Sequence, residues 1–350
     1  MMMKYYKSPI KRSSEGEVLR LICMLMIVIH HFVVHSVFKG CADFGEPLSL
    51  CNGIATIINA FCFIGVNCFI LLSGYYGIRM NLKRILNLYF ICAFYGLMGY
   101  LIHLYVDHQN IGQSIMYNSI FIFSHSSWWY INCYLMLFMA APLLNKAIEH
   151  LTEHEHLMII GLFTIANVYF GYFWQTTGYN IDGYTVAQFI YLYIIGRYLR
   201  LYKSERLQMI RWKCLLIYIV CVGIWCGLTM IHFSHNVPFW YPYTYNNPIV
   251  LLGSIAFFCF IMSFKFKNRL VNQLAVSALA VYLIQDNCYM GHCILHPYIR
   301  EMVSGFPIGA KVGAVFALSI VFMSAAIIID QIRILIMYPI NYYLARRNNE

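Results

Sequence analysis

The sequence predicts an all-α, polytopic membrane protein of about ten transmembrane helices, with both termini on the cytoplasmic side. Three observations carry this. Of the 350 residues, 61% are hydrophobic and only 11% are charged, whereas soluble domains are about a quarter charged. Ten apolar segments follow a polar tail, near 18–38, 53–78, 85–105, 128–146, 157–174, 184–201, 212–232, 247–265, 273–294 and 311–338, each long enough to cross a hydrocarbon core with some tilt. With the N-terminus inside, 21 of the 24 lysines and arginines fall on inner tails, loops and adjoining helix ends, leaving Lys39, Arg300 and Lys311 outside. That split is the one the positive-inside rule demands.

The +10 formal charge is therefore a matter of topology. Its basic residues are spread over six cytoplasmic segments and make no single basic face, which excludes a nucleic-acid-binding protein. Residues 1–350 read as one membrane domain, with 1–17 as a cytoplasmic tail. No repeat, low-complexity tract or soluble domain is visible, and no cleavable signal peptide is expected. The run 115–123 is too short to span and is expected at the interface. Most of the 13 cysteines lie inside apolar helices, and none forms C-x-x-C, so they read as small apolar side chains. Cys41 and Cys51 share one predicted outer loop, where an oxidising compartment would let them pair.

The first helix carries RLICMLMIVIHH, from Arg20 to His31. Eleven residues bring an α-helix back to nearly the same face, with a rise of about 16 Å. One face thus holds a cation at the cytoplasmic edge and an imidazole at or past mid-depth, while His30 points about 100° away. His35 continues the face outward. Ionisable groups at this depth are costly and mark functional sites by default. The plainer alternative is that Arg20 marks the membrane boundary and His31 bonds a neighbouring helix.

The second helix ends in LLSGYYGIR, where Ser73 and Gly74 allow close helix packing or a local break. Arg79, Lys83 and Arg84 follow as a compact cationic loop. It is either ordinary positive-inside charge or a docking point for a phosphate-bearing donor. The fourth helix opens with HSSWWY. Trp128, Trp129 and Tyr130 suit an interfacial aromatic belt, and equally a stacking surface for a sugar ring. The stretch 232–247 carries no Asp, Glu, Lys or Arg, which suits a neutral polar ligand.

The ninth helix carries YLIQDN. Asp286 in its outer half needs a partner at that depth. His31 and His35 are the candidates, and such a pair would orient the imidazole and raise its basicity; the alternative is a helix-end residue at the outer interface. The stretch 149–156 (EHLTEHEH) is read as a solvated loop, with no metal site expected. Asp330 and Arg333, three apart on the last helix, are placed to pair.

Taken together, these features resemble the integral-membrane acyltransferase-3 family, bacterial enzymes that O-acylate envelope glycans. The resemblance covers most of the chain. It is carried by the arginine and histidine separated by ten residues, Arg20 and His31; by LLSGYYGI with the basic loop after it; by WWYINCYLMLFMAAPLLN with its late proline; and by YLIQDN. The resemblance implies acyl-CoA (acetyl-CoA by default) bound from the cytoplasm, with no permanently bound cofactor. It also implies a hydroxyl acceptor on a surface polysaccharide or lipid-linked glycan, and a location in the bacterial cytoplasmic membrane. It makes His31 essential and assigns donor contacts to the basic loop. Two departures stand out: Asn87 sits where relatives often carry a second arginine three residues on, and Gln285 sits where many carry a histidine after YLI, so that Asp286 takes the polar role.

The expected machinery is His31 with Asp286 for catalysis. Arg20, Lys83, Arg84, Ser73 and Gly74 are assigned to the donor, and His35, Trp128, Trp129 and Tyr130 to the acceptor. The bilayer is the one expected macromolecular environment, and self-association is compatible with the sequence. The rival reading is a glycan flippase or transporter without chemistry. It would spread intramembrane charge over several helices, whereas here the deep polar groups concentrate on helices one and nine. A glycan polymerase would need larger outer loops.

Overall fold

The computed structural model describes residues 14–40, 49–106, 121, 128–174, 178–235 and 243–347. The described residues form helices and no strand. In chain order these are α1 (Glu15–Phe32), α2 (Leu50–Cys62), α3 (Gly65–Tyr76), α4 (Leu82–Val106), α5 (Trp129–Glu149), α6 (Glu153–Ile165), α7 (Val186–Tyr198), α8 (Arg211–His235), α9 (Pro248–Met262), α10 (Arg269–Leu274), α11 (Ala278–Gln285), α12 (His296–Met302) and α13 (Ile308–Arg347). Wider π-helical turns continue α1 over Val33–Val37, α6 over Ala166–Phe173 and α7 over Leu199–Lys203, and a fourth, Cys288–Leu295, leads into α12.

Seven stretches are long and apolar enough to cross a membrane: Glu15–Val37, Leu50–Tyr76, Leu82–Val106, Trp129–Glu149, Glu153–Phe173, Arg211–His232 and Ile308–Met337. The other three expected segments are helical but shorter. They are α7, α9 (Pro248–Met262) and the broken run Arg269–Gln285. The protein is thus an all-α, polytopic membrane protein, with seven full-length crossing candidates and shorter helices at the other three expected positions among the described residues.

α1 is the hub. It packs against α2, α3, α9, α10, α11 and α13. Leu19, Cys23 and Ile27, spaced by four, join an apolar cluster with α3, α5, α7, α8 and α9. Met24, Val28 and Phe32, also spaced by four, join a second cluster with α2, α4, α11 and α13. A helix whose residues are apolar nearly all round has no solvent face, so it separates two cores.

α3 and α7 cross with backbones touching. A Cβ on Gly74 would collide with the Tyr193 carbonyl, and one on Gly196 with the Leu71 carbonyl. Small residues on both sides permit this approach, as expected where lipid supplies no hydrophobic drive and packing must. α4 and α13 are joined by a buried triad, in which the Tyr95 hydroxyl and the Arg333 Nε each donate to Asp330 Oδ1 at 2.7 Å. The local pair expected from sequence is there, and Tyr95 completes it.

The stretch 149–156 is no loop. Thr152 and Glu155 form a capping box that starts α6, and buried His156 bonds the Ile194 carbonyl at 3.1 Å. Among the described residues no group of His, Cys, Asp and Glu is arranged to hold a metal. Cys51 is disulfide-bonded. Cys41, its expected partner, and most of 115–123 lie outside the described residues.

Candidate active site

The site grows out of α1. Arg20, Met24, Ile27 and His31 recur at helical spacing along one stripe, and all four line a cavity of ≈ 370 Å³. Eleven residues bring Arg20 and His31 onto the same face, about 16 Å apart along the axis, so one helix places a guanidinium and an imidazole on the same void. Ser73 of α3, Trp129, Tyr130 and Tyr134 of α5, Tyr245 before α9, and Tyr282 of α11 complete its polar and aromatic walls.

Arg20 is not a free cation. Its Nη1 donates to both Glu17 oxygens, at 2.8 and 3.0 Å. The pair is one turn apart, and the Glu17 side chain is only 7% exposed. Because both bonds use one nitrogen, the remaining guanidinium N–H groups are left for another partner. The guanidinium assigned to the donor is thus oriented by a neighbouring carboxylate.

His31 presents a buried Nδ1 with no hydrogen-bond partner among the described residues. Buried polar atoms are nearly always satisfied, so an unpartnered one on a cavity wall calls for a ligand or a water there. His30 turns away, as the helical phase predicts, and its Nδ1 meets Asn59 Oδ1 at 3.1 Å. The rings of His31 and His35 are 5.5 Å apart, centre to centre.

The aromatic wall is held by its own contacts. Tyr130 stacks on Tyr134 (6.0 Å, 11° between planes) and meets Tyr282 edge-on at 5.8 Å. Trp129 stacks on Tyr245 at 5.7 Å and 29°. Two buried amides, Asn67 Nδ2 and Gln188 Nε2, each donate to the Tyr245 carbonyl at 3.0 Å, fixing that residue in the wall. The Ser73 hydroxyl donates back to the Phe69 carbonyl at 3.0 Å and lies beside the Tyr134 hydroxyl.

Several expected site residues lie elsewhere. Lys83 and Arg84 are exposed at the start of α4 and do not line the cavity; the Arg84 Nη1 leans towards the Arg79 carbonyl at 3.4 Å. Gly74 serves the α3–α7 crossing instead of the cavity. Trp128 is 5% exposed and packs in the second apolar cluster, so of the aromatic triplet only Trp129 and Tyr130 face the void. His35 sits just beyond the lining, and Asp286 does not reach His31.

Asp286 pairs instead with His292, which the sequence reading passed over: His292 Nε2 to Asp286 Oδ1 is 3.3 Å. The reason is the break after α11. Asn287 caps the next turn by accepting from the amides of Tyr289 and Met290, and the π-helical segment that follows folds His292 back over Asp286. Gln285, in the position where a histidine was the alternative, donates to the Val28 carbonyl of α1 at 3.2 Å. Tyr134, Tyr245 and Tyr282 were also missed. The signal for Tyr134 was present, four residues after Tyr130 on the same helical face.

A void with a cation and an imidazole on one helix, phenolic walls and a serine suits transfer of a group between two substrates better than ion passage. Comparison with known proteins agrees with that chemistry. No curated protein and no solved structure matches the chain. Residues 16–336 match the family described as Acyltransferase domain, the acyltransferase-3 family, and the chain accordingly belongs to this family of membrane acyltransferases.

Proposed function

We propose that the chain moves an acyl group, acetyl by default, from cytoplasmic acyl-CoA to a hydroxyl of a cell-surface glycan or its lipid-linked precursor, in the bacterial cytoplasmic membrane. The observation that supports it is the shared cavity of Arg20 and His31. The unengaged nitrogens of Arg20 suit the donor's phosphates, with Lys83 and Arg84 as an outlying attractive patch. The largely apolar void suits the donor's thioester arm.

His31 then acts as general base. A neutral imidazole is the ordinary form at pH 7. It takes the proton of the acceptor hydroxyl while the oxygen attacks the thioester carbonyl. The Tyr134 hydroxyl, on the same cavity, suits the negative charge that develops on the carbonyl oxygen. Collapse expels the thiolate. Acyl transfer through His31 as nucleophile uses the same geometry.

The test is a membrane preparation given radiolabelled acetyl-CoA, with label followed into glycan. Labelling that depends on the chain and vanishes in His31→Ala is the expected result. Glycan movement without labelling supports the flippase reading instead and defeats this one.

A further inference from the structure

The histidines continue past the cavity. His35 lies 5.5 Å from His31, 5.5 Å from His292 and 5.4 Å from His296, measured between ring centres. His292 and His296 are 5.6 Å apart. The row starts at the buried, unpartnered Nδ1 of His31. It ends at His292, whose side chain is 41% exposed and lies against Asp286. His296 is a buried side branch, its Nδ1 2.7 Å from the Ser36 hydroxyl.

Two features argue that this row is more than packing. Both segments that carry its outer members, Val33–Val37 and Cys288–Leu295, are π-helical. Such turns are energetically inferior to α-helix and concentrate at functional sites. Four imidazoles in ring contact are also a poor stabilising device, because any two that are protonated together repel. What neighbouring imidazoles offer is a line of ring nitrogens, each able to take a proton on one side and give one up on the other. At these separations a turn of either ring brings neighbouring nitrogens towards hydrogen-bond range.

We propose that His35 and His292, supported by Asp286, carry the proton taken up by His31 to solvent at the face where His292 is exposed. The proposal rests on His31 acting as the base, as argued above. In the step, the acceptor O–H bond breaks and its proton goes to His31. The C–O bond forms, the C–S bond breaks, and the thiolate leaves with the electron pair. The thiolate takes a proton from solvent on the donor side. The proton on His31 passes to His35 and then to His292, where the Asp286 carboxylate stabilises the imidazolium before release. One proton therefore enters on the donor side and one leaves on the acceptor side for each acyl group moved. Other titratable or charged groups facing the row are His30 beside His31, His296 and Lys39 beside His35, Tyr282 and Tyr245 near Asp286, and Arg300, whose Nη2 donates to the His35 carbonyl at 3.5 Å.

The experiment uses membranes from cells making the full chain, with radiolabelled acetyl-CoA as donor and the endogenous glycan as acceptor. His292→Gln, Asp286→Asn and His35→Gln are compared with and without added imidazole. Labelling is expected to fall about tenfold in His292→Gln, less than the hundredfold or more expected for loss of the base itself, and to recover several-fold with imidazole. The KM for acetyl-CoA should stay unchanged. Wild-type labelling in all three variants, or losses that imidazole does not repair, would overturn the relay. His31→Ala separates the two readings. If it still labels glycan, the base assignment fails. If it is inert while the other variants match wild type, only the relay fails. A check that needs no variant is a pH dye on the acceptor side of sealed vesicles. One proton released there per acetyl group supports the relay, and none refutes it.

Discussion

Arg20 and His31 project from one helix into one cavity, eleven residues apart, and Glu17 holds the arginine in place from a turn below. If the imidazole is the base, removing it removes the proton transfer while leaving the cavity walls intact. His31→Ala should lower labelled transfer by at least about a hundredfold, with unchanged accumulation in membranes. Retained transfer in cells would end the assignment.

The arginine should act on the donor alone. Arg20→Ala is expected to raise the KM for acetyl-CoA about tenfold with a smaller change in kcat, the pattern of an interaction made equally in ground and transition states. A fall in kcat at constant KM would place Arg20 in the chemistry instead.

The crossing of α3 and α7 should be intolerant of a single methyl group. Gly74→Ala and Gly196→Ala each put a Cβ into a backbone carbonyl, so a stability loss of about 1–3 kcal/mol is expected. Gly161→Ala, where nothing lies within 4 Å of the added carbon, is the control. Thermal denaturation in detergent reads all three; equal melting temperatures would refute the close crossing.

The buried triad of α4 and α13 gives a graded series. Tyr95→Phe removes one donor to Asp330 and should cost about 1–3 kcal/mol. Asp330→Ala strands the half-buried Arg333 charge and should cost about 3–5 kcal/mol. The same melting experiment orders them, and a larger effect for Tyr95→Phe would contradict the geometry.

What could be read from the chain alone was whatever one continuous helix decides. The phase of Arg20 and His31, the divergence of His30 and the Asp330–Arg333 pair are local, and they needed only 100° per residue. Contacts made through breaks in helices were hidden. His292 meets Asp286 because α11 stops at Gln285 and the chain turns under the Asn287 cap, a reversal that apolar periodicity does not register. Gly74 read as a close-packing residue as well as a donor contact, but the partner it packs on, Gly196, lies on a helix the sequence does not place beside it. Lys83 and Arg84 fit a charge rule and a family motif, but neither says how far a side chain stands from a cavity. All ten apolar runs are helical, but periodicity did not show that three of them form shorter or broken helices.

The rigid α3–α7 crossing has a counterpart on the opposite wall. α4 gives Leu88 to the cavity, yet from Leu82 to Leu88 every residue is exposed or half-buried, and its fully buried positions begin at Cys92. Its Tyr95 end is moored to Asp330, and the Tyr95 carbonyl accepts from Asn287 at 3.2 Å. The anchorage of α4 is therefore concentrated at Tyr95, and a guest too bulky for the present void meets its least packed wall at the turn that bears Leu88.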